Sequence, residues 1–184
     1  MHLPYKKYIL SLCFLLLSVV FKCIPHLPDF SPQIVLFMCL GARFSKVAGF
    51  LTILLISVIT DLSYAAVTGF PAFGAWTVFT YSAYLTIGFI THWLSITPSS
   101  KLFIAHSLFA SLGFWLWSNL EPWWFSHMYA HSLEGFIHCY FLALPFLGFT
   151  LASGLMWSAV VVLLTKHKIN ILRNFQFIKS SLAA

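Results

Sequence analysis

The chain has 184 residues, of which 60% are hydrophobic and only 8% are charged, and its mean hydropathy is +0.91. A water-soluble domain carries about 25% charged residues, so this composition excludes a soluble fold and predicts one compact membrane domain. The net charge of +6 is spread over loops and a tail, which excludes the continuous basic patch of a nucleic-acid-binding surface.

The first apolar run follows Lys6 and Lys7 and imitates a signal peptide. The residues after this run, 22–25, read Lys-Cys-Ile-Pro, where a signal peptide would have a small-residue cleavage site. A lysine directly before Cys23 also argues against lipoprotein processing. We therefore predict that this run is a retained first membrane span.

About 20 mostly apolar residues are needed for a helix to cross a membrane. The apolar runs between the proline- and glycine-containing breaks predict six helices: Tyr8–Ile24, Ser31–Ala42, Val47–Thr68, Trp76–Leu94, Lys101–Asn119 and Glu134–Leu164. The second is short, with Ser31 as its cap and Pro32 in its first turn. The sixth is longer than one span, and we expect it to bend at Pro145. The predicted organisation is an all-α transmembrane domain, residues 1–165, followed by a basic amphipathic cytoplasmic tail, residues 166–184.

Charged residues divide between the two ends of these spans. Nine of the ten Lys and Arg fall on the side of the termini, and only Lys22 falls on the other side. Because basic loops stay in the cytoplasm, both termini are predicted to be cytoplasmic, in a multi-pass protein of a bacterial inner membrane. The four acidic residues Asp29, Asp61, Glu121 and Glu134 all fall on the outer side. Carboxylates in or near a membrane are costly and usually functional, so we expect a site that opens to the outside.

Asp61 lies near the outer end of the third predicted helix, and an aromatic loop follows it. A carboxylate at this depth needs a partner, either the backbone amides of the loop or a bound ligand. The loop from Gly69 to Trp76 offers flat apolar rings and close backbone approach. The same composition is typical of an interfacial aromatic belt, but the nearby carboxylate favours a binding site. His26 and Asp29, in a proline-rich outer loop, are placed to close the same mouth.

Three histidines and one glutamate follow a helical spacing before and within the last predicted helix. His127, His131, Glu134 and His138 lie at i, i+4, i+7 and i+11, so on one continuous helix they would form a polar stripe. Histidine and glutamate are sound ligands for zinc, nickel or cobalt. The alternative is a set of interfacial histidines, with Glu134 in a first turn where the helix dipole favours it.

The sequence lacks the usual enzymatic arrangements. It contains no HExxH or GxSxG motif, no phosphate loop and no paired aspartates on facing spans. We therefore predict a protein that is not an enzyme and that has no intrinsic cofactor.

The run from Ile24 to Pro32 resembles the P-x-x-P-N-F-[ST]-P segment of small bacterial membrane proteins related to energy-coupling-factor (ECF) S-components. The similarity continues in order with Asp61, Asn119, the segment Tyr129–Gly135 and the segment Cys139–Phe146. It covers most of the chain. S-components are six-helix substrate-binding membrane proteins, which capture a vitamin or a metal ion at the outer face and release it inside after toppling in the membrane.

Within that family the chain is most similar to the solitary cobalamin transporters, the BtuM-like proteins. The likeness lies in its size, in Asp61, and in the loop from Gly69 to Thr77 that leads to Phe79-Thr80-Tyr81. The resemblance implies a pocket for cobalamin, or a related corrinoid, between this loop, the outer helix ends and the first outer loop. The residues predicted to bind the substrate are Asp61, Tyr64, Phe70, Phe73, Gly74, Trp76, Tyr81, Asn119, Tyr129, His131, His26 and Asp29.

The sequence departs from the family pattern at two places. Some solitary cobalamin transporters use a cysteine in this loop as a cobalt ligand, whereas Gly74 occupies the nearest position here and His131 is the candidate substitute. S-components also carry Ala-x-x-x-Ala on the first helix, which docks the transmembrane coupling subunit of an energising module with its ATPases. The first helix here offers Ser11, Cys13 and Ser18 but no alanine.

The expected partners are a vitamin-like small molecule, the lipid bilayer and an ECF energising module. Two alternatives to vitamin uptake remain. One is uptake of cobalt or nickel ions by the histidine stripe. The other is a membrane enzyme, or a subunit that organises a larger complex.

Overall fold

The computed structural model describes residues 5–25, 27, 29–126 and 128–182, with side chains for 9–25, 27, 29–126 and 128–170. The described residues form helices and connecting turns and contain no strand, so the predicted all-α fold is confirmed. In chain order the helices are α1 (Tyr5–Cys23), α2 (Gln33–Arg43), α3 (Lys46–Thr68), α4 (Ala75–Trp93), α5 (Lys101–Ser118), α6 (Leu120–Trp124) and α7 (Leu133–Leu182).

Most helix boundaries lie within a few residues of their predicted positions, but the last part of the chain differs. The connection after α5 contains the short helix α6, which was not predicted. The helix predicted to end at Leu164 continues to Leu182 and contains Pro145. The basic segment from Lys166 therefore extends α7 as far as Leu182 and does not begin a separate helix. Its position on a membrane surface stays a prediction.

Helix α2 lies in the centre of the bundle. Its eleven residues span only about 16 Å, and all of them from Gln33 to Gly41 are buried. Phe37, Met38 and Leu40 pack there against apolar side chains of the surrounding helices. The cap residue of α2 is Pro32 and not the predicted Ser31, although the Ser31 hydroxyl accepts the N–H of Gln33 at 3.5 Å. Because the first turn of α2 is buried, the polar side chain of Gln33 lies inside the protein.

Helices α2 and α4 cross at a pair of glycines. A Cβ atom added to Gly41 would overlap the backbone carbonyl group of Gly88, so the two backbones approach as closely as the absence of side chains allows. His92 lies at the same crossing, with its Nδ1 3.2 Å from the carbonyl oxygen of Gly41. This crossing holds the central helix in its place.

We expect Gly41→Ala to lower the free energy of unfolding by about 1–3 kcal/mol, because the added methyl group meets backbone atoms and the helices must separate. The matched control is Gly113→Ala in α5, where an added Cβ meets no heavy atom within 4 Å. That change should be neutral or stabilising, by up to about 1 kcal/mol, since alanine favours helix. Thermal unfolding in detergent measures both, and equal melting temperatures for the two variants would contradict this packing.

The interior of the bundle is rich in small polar residues, whereas its exterior is apolar. Buried hydroxyl side chains recur on several helices; they include Ser57, Thr60, Thr91, Ser107, Ser111, Ser153 and Ser158. Large apolar side chains such as Leu16, Leu55, Phe109 and Phe141 are exposed on the outside. Two helical stretches, Lys46–Thr68 and Leu133–Asn170, are long and apolar enough to cross a membrane. Soluble monomers rarely expose continuous apolar surface, and this exterior fits an apolar surrounding.

Candidate functional site

A cavity of about 440 Å³ opens at the end of the bundle where α1 and α3 end and α4 begins. Residues of α1, α2, α3, α4, α5 and α7 line it, together with the loop between α3 and α4. Small-molecule sites commonly enclose about 300–1,000 Å³. The cavity is therefore large enough for a vitamin-sized molecule.

The charged side of the cavity is an ion pair between Lys22 of α1 and Asp61 of α3. Lys22 Nζ contacts Asp61 Oδ1, and the Tyr81 hydroxyl donates a hydrogen bond of 2.7 Å to Asp61 Oδ2. The side chain of Asp61 is only 9% exposed, whereas that of Lys22 is 34% exposed. Lys22 Nζ also lies 5.6 Å from the centre of the Tyr64 ring. The partners of Asp61 are thus two side chains, not loop amides, and the ammonium group remains open to the cavity.

Aromatic rings from α3, the following loop and α4 form a second wall. Tyr64 and Phe70 have ring centres 6.4 Å apart, and Phe70 and Trp76 have ring centres 5.5 Å apart. All three line the cavity, whereas Phe73 is exposed in the same loop and Gly74 lies behind the wall. A Cβ added to Gly74 would overlap the Trp76 ring. Gly74 therefore supports the position of Trp76 and is not itself part of the cavity lining.

The loop that carries this wall starts with a left-handed residue. Gly69 caps α3 with φ of +73°, and its N–H donates to the Ala65 carbonyl oxygen at 2.9 Å. At the other end, the N–H of Gly74 donates to the Thr77 hydroxyl at 3.0 Å. Backbone N–H groups thus donate hydrogen bonds at both ends of the loop, and Phe70 between them lines the cavity.

The inner end of the cavity is polar and comes from helices that are distant in sequence. Gln33, at the first turn of α2, is 8% exposed and accepts a hydrogen bond of 3.3 Å from the Tyr84 hydroxyl. Tyr84 stacks on Phe114, with ring centres 5.1 Å apart and planes 11° apart. Ser153 of α7 donates to the Ser31 carbonyl oxygen at 2.6 Å. None of these residues was predicted to belong to the site.

Of the predicted binding residues, the structure brings seven together at or beside the cavity. Five of them line the cavity: Asp29, Asp61, Tyr64, Phe70 and Trp76. Tyr81 donates a hydrogen bond to Asp61 without lining the cavity itself, and Gly74 supports Trp76. His26 lies outside the described residues.

Asn119, Tyr129 and His131 do not line the cavity but belong to an aromatic cap around α6. Asn119 Nδ2 donates to the Trp115 carbonyl oxygen at 2.8 Å. His131 lies against Trp124, with ring centres 6.1 Å apart and planes 19° apart, and Tyr129 meets the ring of His138 edge-on. The cap packs beside the start of α4 through contacts such as Phe79 to Phe125, which explains why these residues share one end of the protein with the cavity but not its lining.

A family model described as a family of unknown function, DUF6580, matches residues 3–172. The chain belongs to the DUF6580 family. No curated protein and no solved structure matches it. The matched range contains every residue that lines the cavity and every residue of the aromatic cap. Both features of this DUF6580 protein therefore lie in the part of the chain that the family model covers.

The predicted histidine stripe is not continuous in this DUF6580 chain. Helix α7 begins at Leu133, and Ser132 caps it by accepting the N–H of Gly135 at 3.2 Å. His131 therefore lies outside the helix that carries Glu134 and His138, and His127 lies outside the described residues. Within the described residues, no group of three or more His, Cys, Asp or Glu side chains is close enough to hold a metal ion. Metal binding by the four stripe residues stays a prediction.

We expect Glu121, in the short helix of the cap, to make the stability of the protein depend slightly on pH. Burial raises the pKa of its carboxyl group above the usual value, so its ionised form costs free energy in the folded state. This cost is absent at low pH, where the group is protonated in both states, and grows as pH rises through its titration range. Glu121→Gln should therefore melt slightly above the wild type at neutral pH and equally below about pH 4. Melting curves across pH check this, and a lower melting temperature for the variant at neutral pH would contradict it.

Proposed function

We propose that the chain is an S-component-like protein of a bacterial inner membrane that captures a vitamin-sized organic molecule at the outer face. The observation that carries this proposal is the cavity itself. It combines the ion pair of Lys22 and Asp61, an aromatic wall and a polar inner end in one open cavity. A mostly apolar pocket with a few polar anchors is the usual form of a small-molecule site.

The proposed topology has six crossings with both termini in the cytoplasm. Exposed apolar side chains and the distribution of Lys and Arg support it. Helix α2 is too short to cross alone, and the non-helical residues 29–32 before it complete the second crossing. Two of these residues, Asp29 and Ser31, line the cavity, and irregular backbone is tolerated at membrane depth where it lines a cavity.

The proposed mechanism is binding, occlusion and reorientation, without covalent chemistry. Asp61 is largely shielded from water whereas Lys22 is partly exposed, so the pair is screened less than a surface pair, and a polar ligand that contacts it gains more than it would in bulk water. The loop with Phe70 lies at the mouth, where its movement would admit and then cover the ligand. The charged groups are already paired before the ligand arrives, which limits the cost of keeping them buried.

The size of the cavity bears on the substrate. A molecule of one to three linked or fused rings is smaller than this space of about 440 Å³. Cobalamin or a related corrinoid, the ligand that the resemblance implies, is much larger and would bind only with the loop around Phe70 displaced. The candidate substrates are therefore cobalamin and smaller vitamins.

Uptake by intact cells tests the proposal. Cells that express the chain should accumulate an externally added labelled vitamin above the level of cells without it, and Asp61→Asn should remove most of this gain. The assay is run with and without a co-expressed ECF energising module, the partner that the resemblance implies. Uptake that needs the module would identify that partner, and uptake without it would identify a solitary carrier.

Rival functions give other outcomes in the same cells. Accumulation of cobalt or nickel that is lost when His131 and His138 are replaced by alanine would support metal uptake instead. Turnover of a lipid or peptide by the purified chain would support an enzyme, and stable co-purification of other proteins without any ligand would support an organising subunit. Each of these results, without vitamin uptake, would overturn the carrier proposal.

A further inference from the structure

We infer that the inner end of the cavity recognises the edge of a planar nitrogen heterocycle through the Gln33 amide, so that the substrate is a heteroaromatic molecule with a charged substituent. This inference rests on the proposed function and names the substrate class of the same cavity. It concerns three residues that no pattern in the sequence pointed to: Gln33, Tyr84 and Phe114.

The amide of Gln33 is buried and only half used. The side chain is 8% exposed and lines the cavity. Among the described residues, its only hydrogen bond comes from the Tyr84 hydroxyl to Oε1. The Nε2 group is not among the fully buried polar atoms without a partner, so its two N–H donors are open to the cavity, and a ligand that displaces water there must satisfy them or bind more weakly. If the two amide ends are exchanged, the unused end is an acceptor, and the requirement for a ligand partner stands.

The amide is held in a fixed orientation. Tyr84 binds one end, and its own ring is fixed by stacking on Phe114 and by an edge contact with Phe37 at 4.8 Å. A glutamine amide placed in this way pairs with an adjacent donor and acceptor on the edge of a heterocycle, as it does with the edge of adenine. Helix α2 also begins at Gln33, and the partial positive charge at its first turn favours ring nitrogens and carbonyl oxygens there.

The remaining walls fit the rest of such a molecule. Phe114, Trp76 and Phe70 line the same cavity as Gln33 and offer faces and edges to a planar ring. Lys22 and Asp61 also line it, and there a phosphate, carboxylate or cationic substituent finds a partner. An aliphatic ligand would fill the volume but leave the amide unsatisfied. The class that uses every wall is therefore a planar nitrogen heterocycle with a charged group.

The test compares ligands and variants by calorimetry on the purified protein in detergent. The probes are thiamine, which joins a pyrimidine to a cationic ring, and riboflavin, a planar nitrogen heterocycle without a charge, with biotin and cobinamide as ligands that contain no heteroaromatic ring. Gln33→Leu removes the amide at nearly constant volume and should weaken heterocycle binding about 10-fold or more. The matched control is Asn119→Ala, which removes a carboxamide from the same end of the protein outside the cavity and should leave the affinity unchanged.

Each outcome decides one of the two claims. Heterocycle binding that Gln33→Leu weakens and Asn119→Ala does not supports the inference. If Gln33→Leu fails to fold, Tyr84→Phe takes its place, since it removes only the hydroxyl that orients the amide. It should weaken the binding of the same ligands. Binding of biotin or cobinamide alone, weakened by Asp61→Asn, would overturn the inference and leave the carrier proposal standing. Heterocycle binding that neither Gln33→Leu nor Tyr84→Phe changes would overturn the inference, and binding of no probe would overturn both.

Discussion

Asp61→Asn and Lys22→Met should each lower both the stability and the ligand affinity of the protein, whereas the double variant should regain stability without regaining affinity. Each single change leaves the other member of the ion pair without its partner. Loss of one partner from a fully buried pair costs about 3–5 kcal/mol. Because Lys22 is 34% exposed, water screens the pair, and we expect about 1–2 kcal/mol.

The double variant separates the structural role of the pair from its role in binding. Replacing both charges leaves no unpaired ion, so its stability should return to near the wild-type value. The charged anchor is absent, however, and the affinity should stay at least about 10-fold below that of the wild type. Melting temperature and calorimetric affinity are measured on the same preparations. A double variant that binds as tightly as the wild type would show that the ion pair only joins α1 to α3.

Phe70→Ala should weaken ligand binding about 10-fold or more, whereas Phe73→Ala should leave it unchanged. The two rings lie in the same loop and are similarly exposed, at 52% and 47%, so both changes should cost little stability. Only Phe70 lines the cavity, where its ring lies beside Trp76 and can cover a bound molecule. Loss of one aromatic contact of this kind is worth about 10-fold in affinity.

The comparison also decides between a binding site and an aromatic belt at the membrane surface. A belt would use both rings in the same way, because each would only contact the lipid interface. Equal loss of affinity in the two variants, or loss in neither, would contradict the role assigned to Phe70. Circular dichroism of the two variants controls for the helical fold.

The part of the site that is local in sequence could be predicted. Asp61, Tyr64, Phe70 and Trp76 lie within sixteen residues of chain on the two sides of one loop, and a charged residue beside glycines and aromatic rings is a signal that needs no tertiary information. The charge of Lys22, alone among basic residues on its predicted side, was also visible. Its pairing with Asp61 was not, because it depends on the parallel arrangement of α1 and α3.

The inner end of the cavity could not be predicted, for physical reasons. Gln33 lines the cavity because the short α2 is buried at the centre of the bundle. The sequence of α2 does not indicate this position, because any membrane span is equally apolar. Ser153 is one hydroxyl in a long apolar run. The last helix, by contrast, was predicted to begin at Glu134 and begins at Leu133. The histidine stripe is interrupted there because Gly135 packs against the Ala130 carbonyl group and Ser132 caps α7.

Ligand binding to the purified protein tests the central claim most directly. Calorimetry against cobalamin, cobinamide, thiamine, riboflavin and biotin is done with the wild type and with the Lys22→Met, Asp61→Asn double variant. The account predicts that at least one of these molecules binds at one site per chain, and that the double variant, although folded, binds it at least about 10-fold more weakly. Equal affinity in the two proteins, or no binding of any of these molecules to the wild type, would contradict it.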